Sequence, residues 1–202
     1  MLFYVKNKAV LSVAMTLVLA SVSLLLKYHL GLDWNLYMGR EAIGQFVMGL
    51  GLILASDLIL SILLLVIFHT AFVSLWMEMA GYFSRQRIHD VLAGGILAAS
   101  EEMFFRGVLL QYMIRTLDWN SYYAVIISAA AFALFHVIWK KRLALFSVWA
   151  FWEGAVLGAI YIYTGSLPVT MAVHAAHDAA GFALFSIQRK RGFLLLKKHP
   201  GF

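Results

Sequence analysis

The sequence has no cysteine, only two prolines and few charged residues. The absence of cysteine excludes disulfides, a thiolate nucleophile and any zinc site built on thiolates. Pro168 and Pro200 lie outside the interiors of the apolar segments, so those segments are interpreted as continuous helices. Charged residues make up 13% of the chain and hydrophobic residues 63%, whereas an ordinary soluble domain is about 25% charged and about 45–50% apolar. This scarcity of charge argues against a water-soluble fold.

Apolar segments follow one another with short breaks, and the mean hydropathy is +0.84. About 20 apolar residues suffice to cross a bilayer as a helix, and the alternating pattern of a membrane barrel strand is lacking. We therefore expect an all-α fold, a polytopic transmembrane bundle of about six helices in the cell (inner or plasma) membrane. The net charge is +6, but the basic residues flank apolar segments, which predicts contact with membrane lipid and not with nucleic acid.

Six spans are predicted, and the second is overlong and expected to tilt or kink. The spans cover residues 9–27, 46–74, 91–113, 120–139, 143–163 and 168–187. Of the 16 Lys and Arg residues, twelve fall in one set of alternating connections and three in the other, and Arg106 lies inside a span. Because cytoplasmic loops are enriched in Lys and Arg, both termini are expected in the cytoplasm.

The chain is accordingly divided into three parts. Residues 1–90 hold the first two transmembrane helices and a cytoplasmic loop, residues 91–188 a helical core of four further spans, and residues 189–202 a basic cytoplasmic tail.

Several ionisable residues fall inside the predicted spans, where each costs about 2.5–3.5 kcal/mol on insertion scales. They are Asp57, Glu101, Glu102, Arg106, His136, Glu153, His174, His177 and Asp178. Such residues usually face a cavity or a partner. We interpret Asp57 as a single helix-bonding acid, with a place on a proton or ion path as the alternative, and Glu153 as a partner of the basic loop at 140–142.

The densest cluster is Glu101 and Glu102 followed by Arg106. Glu102 and Arg106 are four residues apart, so they share a helix face and are expected to form an ion pair. Glu101 lies about 100° around the helix from Glu102 and is free to face a small polar cavity. There, loss of hydration would make its carboxylate a better proton acceptor. A purely structural charge network that joins helices is the alternative.

Two further helices carry histidine. His136 stands alone on an apolar helix, where a histidine is more often a packing residue than a functional one. His174, His177 and Asp178 are spaced i, i+3 and i+4, so all three are expected on one side of the last helix. The alanines among them allow close helix approach, and three such groups on one face are hard to explain by packing.

Three motifs in this order resemble the CPBP family, which comprises the type II CAAX prenyl proteases and the bacteriocin-processing or self-immunity (Abi-type) membrane proteins. The motifs are Glu101-Glu102-x-x-x-Arg106, Phe132-x-x-x-His136 and His174-x-x-x-Asp178. The resemblance covers roughly residues 91–187. It implies an intramembrane endopeptidase of the glutamic type that acts on a membrane-associated protein or peptide.

The resemblance also implies roles for individual residues. Glu101, aided by His136, would deprotonate the attacking water, and His174 with Asp178 would stabilise the tetrahedral oxyanion. Glu102 and Arg106 would give structural support, while His177 is an extra group without a family role. The family commonly has Asn where Asp178 stands, and an amide can donate a hydrogen bond to an oxyanion where an ionised carboxylate cannot.

Two alternatives stay open. Glu101, His136, His174 and Asp178 are all acceptable zinc ligands, so a catalytic zinc is conceivable, although the resemblance favours a reaction with no cofactor. The other alternative is a protein that cleaves nothing, either a membrane scaffold or immunity protein or a component of a proton-coupled transporter.

Overall fold

The computed structural model describes residues 8–36, 38–83, 88–138 and 144–198, and every regular element within them is helical. The elements are α1 (Lys8–His29), α2 (Ala42–Ile67), α3 (His69–Phe83), α4 (Ile88–Phe104), a π-helical segment (Phe105–Leu110), α5 (Gln111–Arg115), α6 (Ser121–Ile138), α7 (Ala144–Thr164) and α8 (Leu167–Lys198). The predicted all-α class is confirmed.

Three of these helices are long and apolar enough to cross a membrane, namely Ala9–His29, Ala42–Ile67 and Phe146–Thr164. Ser121–His136 is a shorter apolar helix. The count of six spans and the cytoplasmic position of both termini stay predictions. Arg85, Arg87 and the basic loop at 140–142, on which the orientation partly depends, lie outside the described residues.

The second predicted span is broken into two helices, in agreement with the tilt or kink expected from its excess length. α2 ends at Ile67, and Phe68 has φ −125° and ψ 43°, outside the helical region, before α3 begins at His69. A straight helix over 46–74 would be about 43 Å long at 1.5 Å per residue, well beyond a hydrocarbon core of about 30 Å. The break therefore divides a segment that is too long to cross once. At the other end of the chain, α8 stays helical to Lys198, past the predicted end of the last span.

The third predicted span is one helical run from Ile88 to Arg115 that contains the π-helical segment. π-helical turns occur frequently at functional sites. The indole Nε1 of Trp34 donates a hydrogen bond of 2.6 Å to the carbonyl of Gly107. A Cβ atom on residue 107 would lie 2.9 Å from that nitrogen, so glycine is needed for this close approach. The contact fixes the turn that holds Arg106.

Four helices surround the polar residues of the second half of the chain. α4 packs against α8, and α6 packs against α7. A Cβ atom on Gly154 would lie 3.1 Å from the Cα of Ala129, so glycine lets α7 approach α6 closely. α2 also packs against α8, which brings a helix from the first half of the chain to the same region.

Candidate active site

The two adjacent glutamates of α4 have different surroundings, and Glu102 is the one held by partners. Its Oε1 lies 2.6 Å from Nη1 of Arg106, and both side chains are 0% exposed. Nη2 of Arg106 donates a second hydrogen bond, 2.7 Å long, to the carbonyl of Gly154. The predicted ion pair is thus confirmed, and it also ties α4 to α7.

Glu102 has a further partner that the sequence did not indicate. Nδ1 of His174 lies 2.8 Å from the same Oε1. A ring nitrogen this close to a carboxylate donates its proton, so the Nδ1–H of His174 points at Glu102. The opposite nitrogen, Nε2, lies 3.4 Å from Oε1 of Glu153 and 3.9 Å from Oδ1 of Asp178. Glu102 therefore orients the imidazole as well as pairing with Arg106.

Glu101 is buried, with 6% of its surface exposed. Across the described segments no hydrogen bond or ion pair to its carboxylate is found. It interacts electrostatically with His174, Asp178, Glu102 and Glu153. Glu101 is thus a buried carboxylate that interacts with His174 through its charge while remaining available to another molecule.

His136 lies at the edge of the same cluster. Its Nδ1 is 2.9 Å from the carbonyl of Phe132, one turn earlier. A carbonyl can only accept, so this nitrogen carries the proton, and a neutral ring presents Nε2 as an acceptor. The Phe132 ring centroid lies 4.5 Å from that of His136 and 5.8 Å from that of His174. The two predicted catalytic histidines therefore flank one aromatic ring.

The structure places His177 in a group of acidic side chains. Its Nε2 lies 2.6 Å from Oδ2 of Asp57 on α2. Its Nδ1 lies 3.0 Å from Oε1 of Glu153 and 3.4 Å from Oδ1 of Asp178. Since Glu153 also lies near His174, the expected sharing of one helix face by the ionisable groups of α8 is confirmed.

The structure shows the partners of two further acidic residues. Asp57 bonds α2 to α8, since its carboxylate contacts His177, and this agrees with its interpretation as a helix-bonding acid. Glu153, expected to pair with the basic loop at 140–142, contacts His174 and His177, and that loop lies outside the described residues. The general rule that intramembrane charges pair with one another could have indicated these contacts, although it does not say which groups pair.

Among the described residues, one group of side chains is close enough to share a metal ion, namely Glu153, His177 and Asp178. The zinc ligands considered from sequence were Glu101, His136, His174 and Asp178, so the two sets share only Asp178.

Comparison with known proteins points to one family. Residues 86–180 match the family model described as type II CAAX prenyl endopeptidase, Rce1-like. This segment contains all three motifs from Glu101 to Asp178, while Asp57 lies outside it. No curated protein and no solved structure gives a significant match to the chain. The matched segment covers just under half of the chain and, together with the apolar helices, supports its membership of the CAAX protease (CPBP) family of membrane peptidases.

Proposed function

We propose that the protein is a multi-pass intramembrane endopeptidase of the glutamic type, which hydrolyses a peptide bond in a membrane-embedded or membrane-proximal protein or peptide. The observation that carries the proposal is the contrast between the two buried glutamates of α4. Glu102 is held by Arg106 and His174, whereas no partner of Glu101 is found in the described part of the chain. A general base must keep its carboxylate available for water, and Glu101 is the glutamate that does so.

In the proposed reaction, Glu101 accepts a proton from water while the water oxygen attacks the carbonyl carbon of the scissile amide. The negative charge then moves to the carbonyl oxygen. When the carbon–nitrogen bond breaks, Glu101 returns the proton to the departing amine. His136 assists by accepting a hydrogen bond from the water at Nε2, since its Nδ1–H is directed at Phe132. The surrounding helices exclude bulk water and fix these distances.

His174 is the proposed donor to the oxyanion. With Nδ1–H directed at Glu102, a doubly protonated ring also donates from Nε2, the nitrogen that faces Glu153 and Asp178. Preorganised donors of this kind stabilise charge that develops in the transition state. Asp178 cannot donate while ionised, so its proposed role is to hold the His174 ring in place. Glu102 and Arg106 support both groups by fixing α4 against α7 and α8.

The proposed hydrolytic step uses no metal ion, although a zinc ion on Glu101, His136, His174 and Asp178 would serve the same reaction class. The proposed location is the cell membrane, with both termini in the cytoplasm and six spans. The proposed partners are membrane lipid and the protein or peptide that is cleaved. A CAAX-type substrate is suggested only by the description of the matched family.

The test compares all membrane and secreted protein termini in cells that carry the natural chain, Glu101→Gln or Glu41→Gln. Glu41 is exposed, so its substitution controls for the loss of one carboxylate. New termini are expected with the natural chain and with Glu41→Gln, and not with Glu101→Gln. Identical profiles from all three chains at equal abundance would favour the scaffold or transporter alternative.

A further inference from the structure

The three side chains that could share an ion have ligand atoms at coordination spacing. Nδ1 of His177 lies 3.0 Å from Oε1 of Glu153 and 3.4 Å from Oδ1 of Asp178, and the three ligand atoms lie within 4.8 Å of one another. Two atoms bound to one tetrahedral zinc ion at about 2.0–2.1 Å each lie roughly 3.4 Å apart. Only small adjustments are needed to surround an ion.

The far side of the His177 ring has the support that metal-binding histidines usually receive. Its Nε2 lies 2.6 Å from Oδ2 of Asp57. Histidines that bind a metal through one nitrogen almost always donate the other N–H to a carboxylate, a backbone carbonyl or water, which fixes the tautomer and the ring plane. A ring that donates from Nε2 to Asp57 presents its Nδ1 lone pair to the carboxylates of Glu153 and Asp178.

This arrangement calls for a positive charge between the ring and the two carboxylates. Oε1 of Glu153 and Nδ1 of His177 are both buried, and neither forms a directed hydrogen bond within the described residues despite the 3.0 Å distance. A nitrogen lone pair that faces carboxylate oxygens is repelled by them. A cation coordinated by all three groups turns this repulsion into attraction.

The charge balance of the region points the same way. Asp57, Glu153 and Asp178 lie around His177, and His174 also lies near Glu153 and Asp178. In the described segments no Lys or Arg forms an ion pair with any of these three acids, and Arg106 is paired with Glu102. The carboxylates of the region outnumber its cationic side chains, and carboxylates in a poorly hydrated interior are costly unless they are paired or bind a metal.

We propose that Glu153, His177 and Asp178 form a binding site for a divalent transition-metal ion, with zinc as the preferred ion and Asp57 as the residue that orients His177. One imidazole nitrogen and two carboxylate oxygens form a ligand set that suits zinc. The ion links α7 to α8 and neutralises the acids beside His174. The site shares Asp178 with the proposed catalytic group, but zinc binding can be tested separately from peptidase activity because Glu101 and His136 are not among its ligands.

The experiment measures zinc in the full-length protein, produced in zinc-supplemented cells, purified in detergent and desalted. Mass spectrometry of the metal should give about one zinc per chain for the natural protein. Glu101→Gln, a matched loss of one buried carboxylate outside the ligand set, should retain that ratio. Glu153→Gln and His177→Gln should each lower it at least tenfold. Asp57→Asn should weaken zinc binding about 10–100-fold, as expected for loss of an orienting partner.

A second measurement uses only the natural protein, so its result does not depend on whether the variants accumulate. The natural protein is stripped with a chelator and its thermal unfolding is followed with zinc, with magnesium and with neither ion. Zinc alone should raise the unfolding temperature. A natural chain that holds no zinc and is not stabilised by it would overturn the proposal and leave a protonated His177 as the balancing charge. Loss of zinc in Glu101→Gln with retention in Glu153→Gln would also overturn it and favour the ligands considered from sequence.

Discussion

Replacing Glu102 with Gln should destabilise the protein strongly, because the change leaves the buried Arg106 without a counter-charge. Both side chains are 0% exposed and their charged atoms are 2.6 Å apart. The remaining partners of Arg106 are neutral, namely the carbonyl of Gly154, 2.7 Å from Nη2, and the ring of Phe132, whose centroid lies 5.0 Å from Cζ. Removing one member of a buried ion pair costs about 3–5 kcal/mol. For a domain of this size, 1 kcal/mol shifts the unfolding temperature by about 2–4 °C, so the expected fall is roughly 6–20 °C.

The assay is thermal unfolding in detergent of the natural chain, Glu102→Gln, Arg106→Gln and the double variant. The double variant should be more stable than either single variant, because it leaves no unpaired charge behind. Glu41→Gln, an exposed loss of one carboxylate, should unfold like the natural chain. If Glu102→Gln proves as stable as Glu41→Gln, or if the double variant loses the sum of the two single losses, the reasoning is refuted.

Three further outcomes are expected. Glu101→Gln should lower turnover by at least about 100-fold while the unfolding temperature stays equal or rises, and normal turnover would remove Glu101 from the proposed mechanism. Gly154→Ala should lower the free energy of unfolding by about 1–3 kcal/mol, since the new Cβ would lie 3.1 Å from a Cα atom of α6. Gly51→Ala is the control, because nothing lies near a Cβ at that position. Equal stability of the two variants would contradict the proposed close approach of α7 to α6. Trp34→Phe removes the hydrogen bond to the Gly107 carbonyl and should lower the free energy of unfolding by about 1–3 kcal/mol in the same assay. An unchanged unfolding temperature would show that the bond contributes little to stability.

Part of the polar cluster could be predicted from the spacing of its residues along the chain. Glu102 and Arg106 are four residues apart, as are His174 and Asp178, and residues at this spacing meet on any helix wherever that helix packs. The all-α class was equally accessible, because apolar length and the absence of strand alternation depend on composition alone.

The contacts between distant segments could not be read from spacing. Asp57 and His177 are 120 positions apart, and their meeting depends on α2 packing against α8. Glu153 meets His174 because α7 also packs against α8. These contacts are products of tertiary packing, whereas the sequence showed only that such charges needed partners.

The positions of two backbone features were also inaccessible, although the excess length of the second span predicted a tilt or kink. The break at Phe68 has neither Pro nor Gly at that position to mark it. The π-helical segment Phe105–Leu110 is stabilised partly by Trp34, which is more than 70 positions away. Both features result from contacts and from excess length, and periodicity within one segment reports neither.

The most direct test of the central claim is the initial rate of peptide cleavage by purified protein in lipid vesicles. The substrate is a synthetic peptide that spans the cut site recovered from the comparison of protein termini. Cleavage by the natural chain and by Glu41→Gln, with none by Glu101→Gln at equal folded protein, is the predicted result. Cleavage by Glu101→Gln at the natural rate would contradict the assignment of Glu101 as the base.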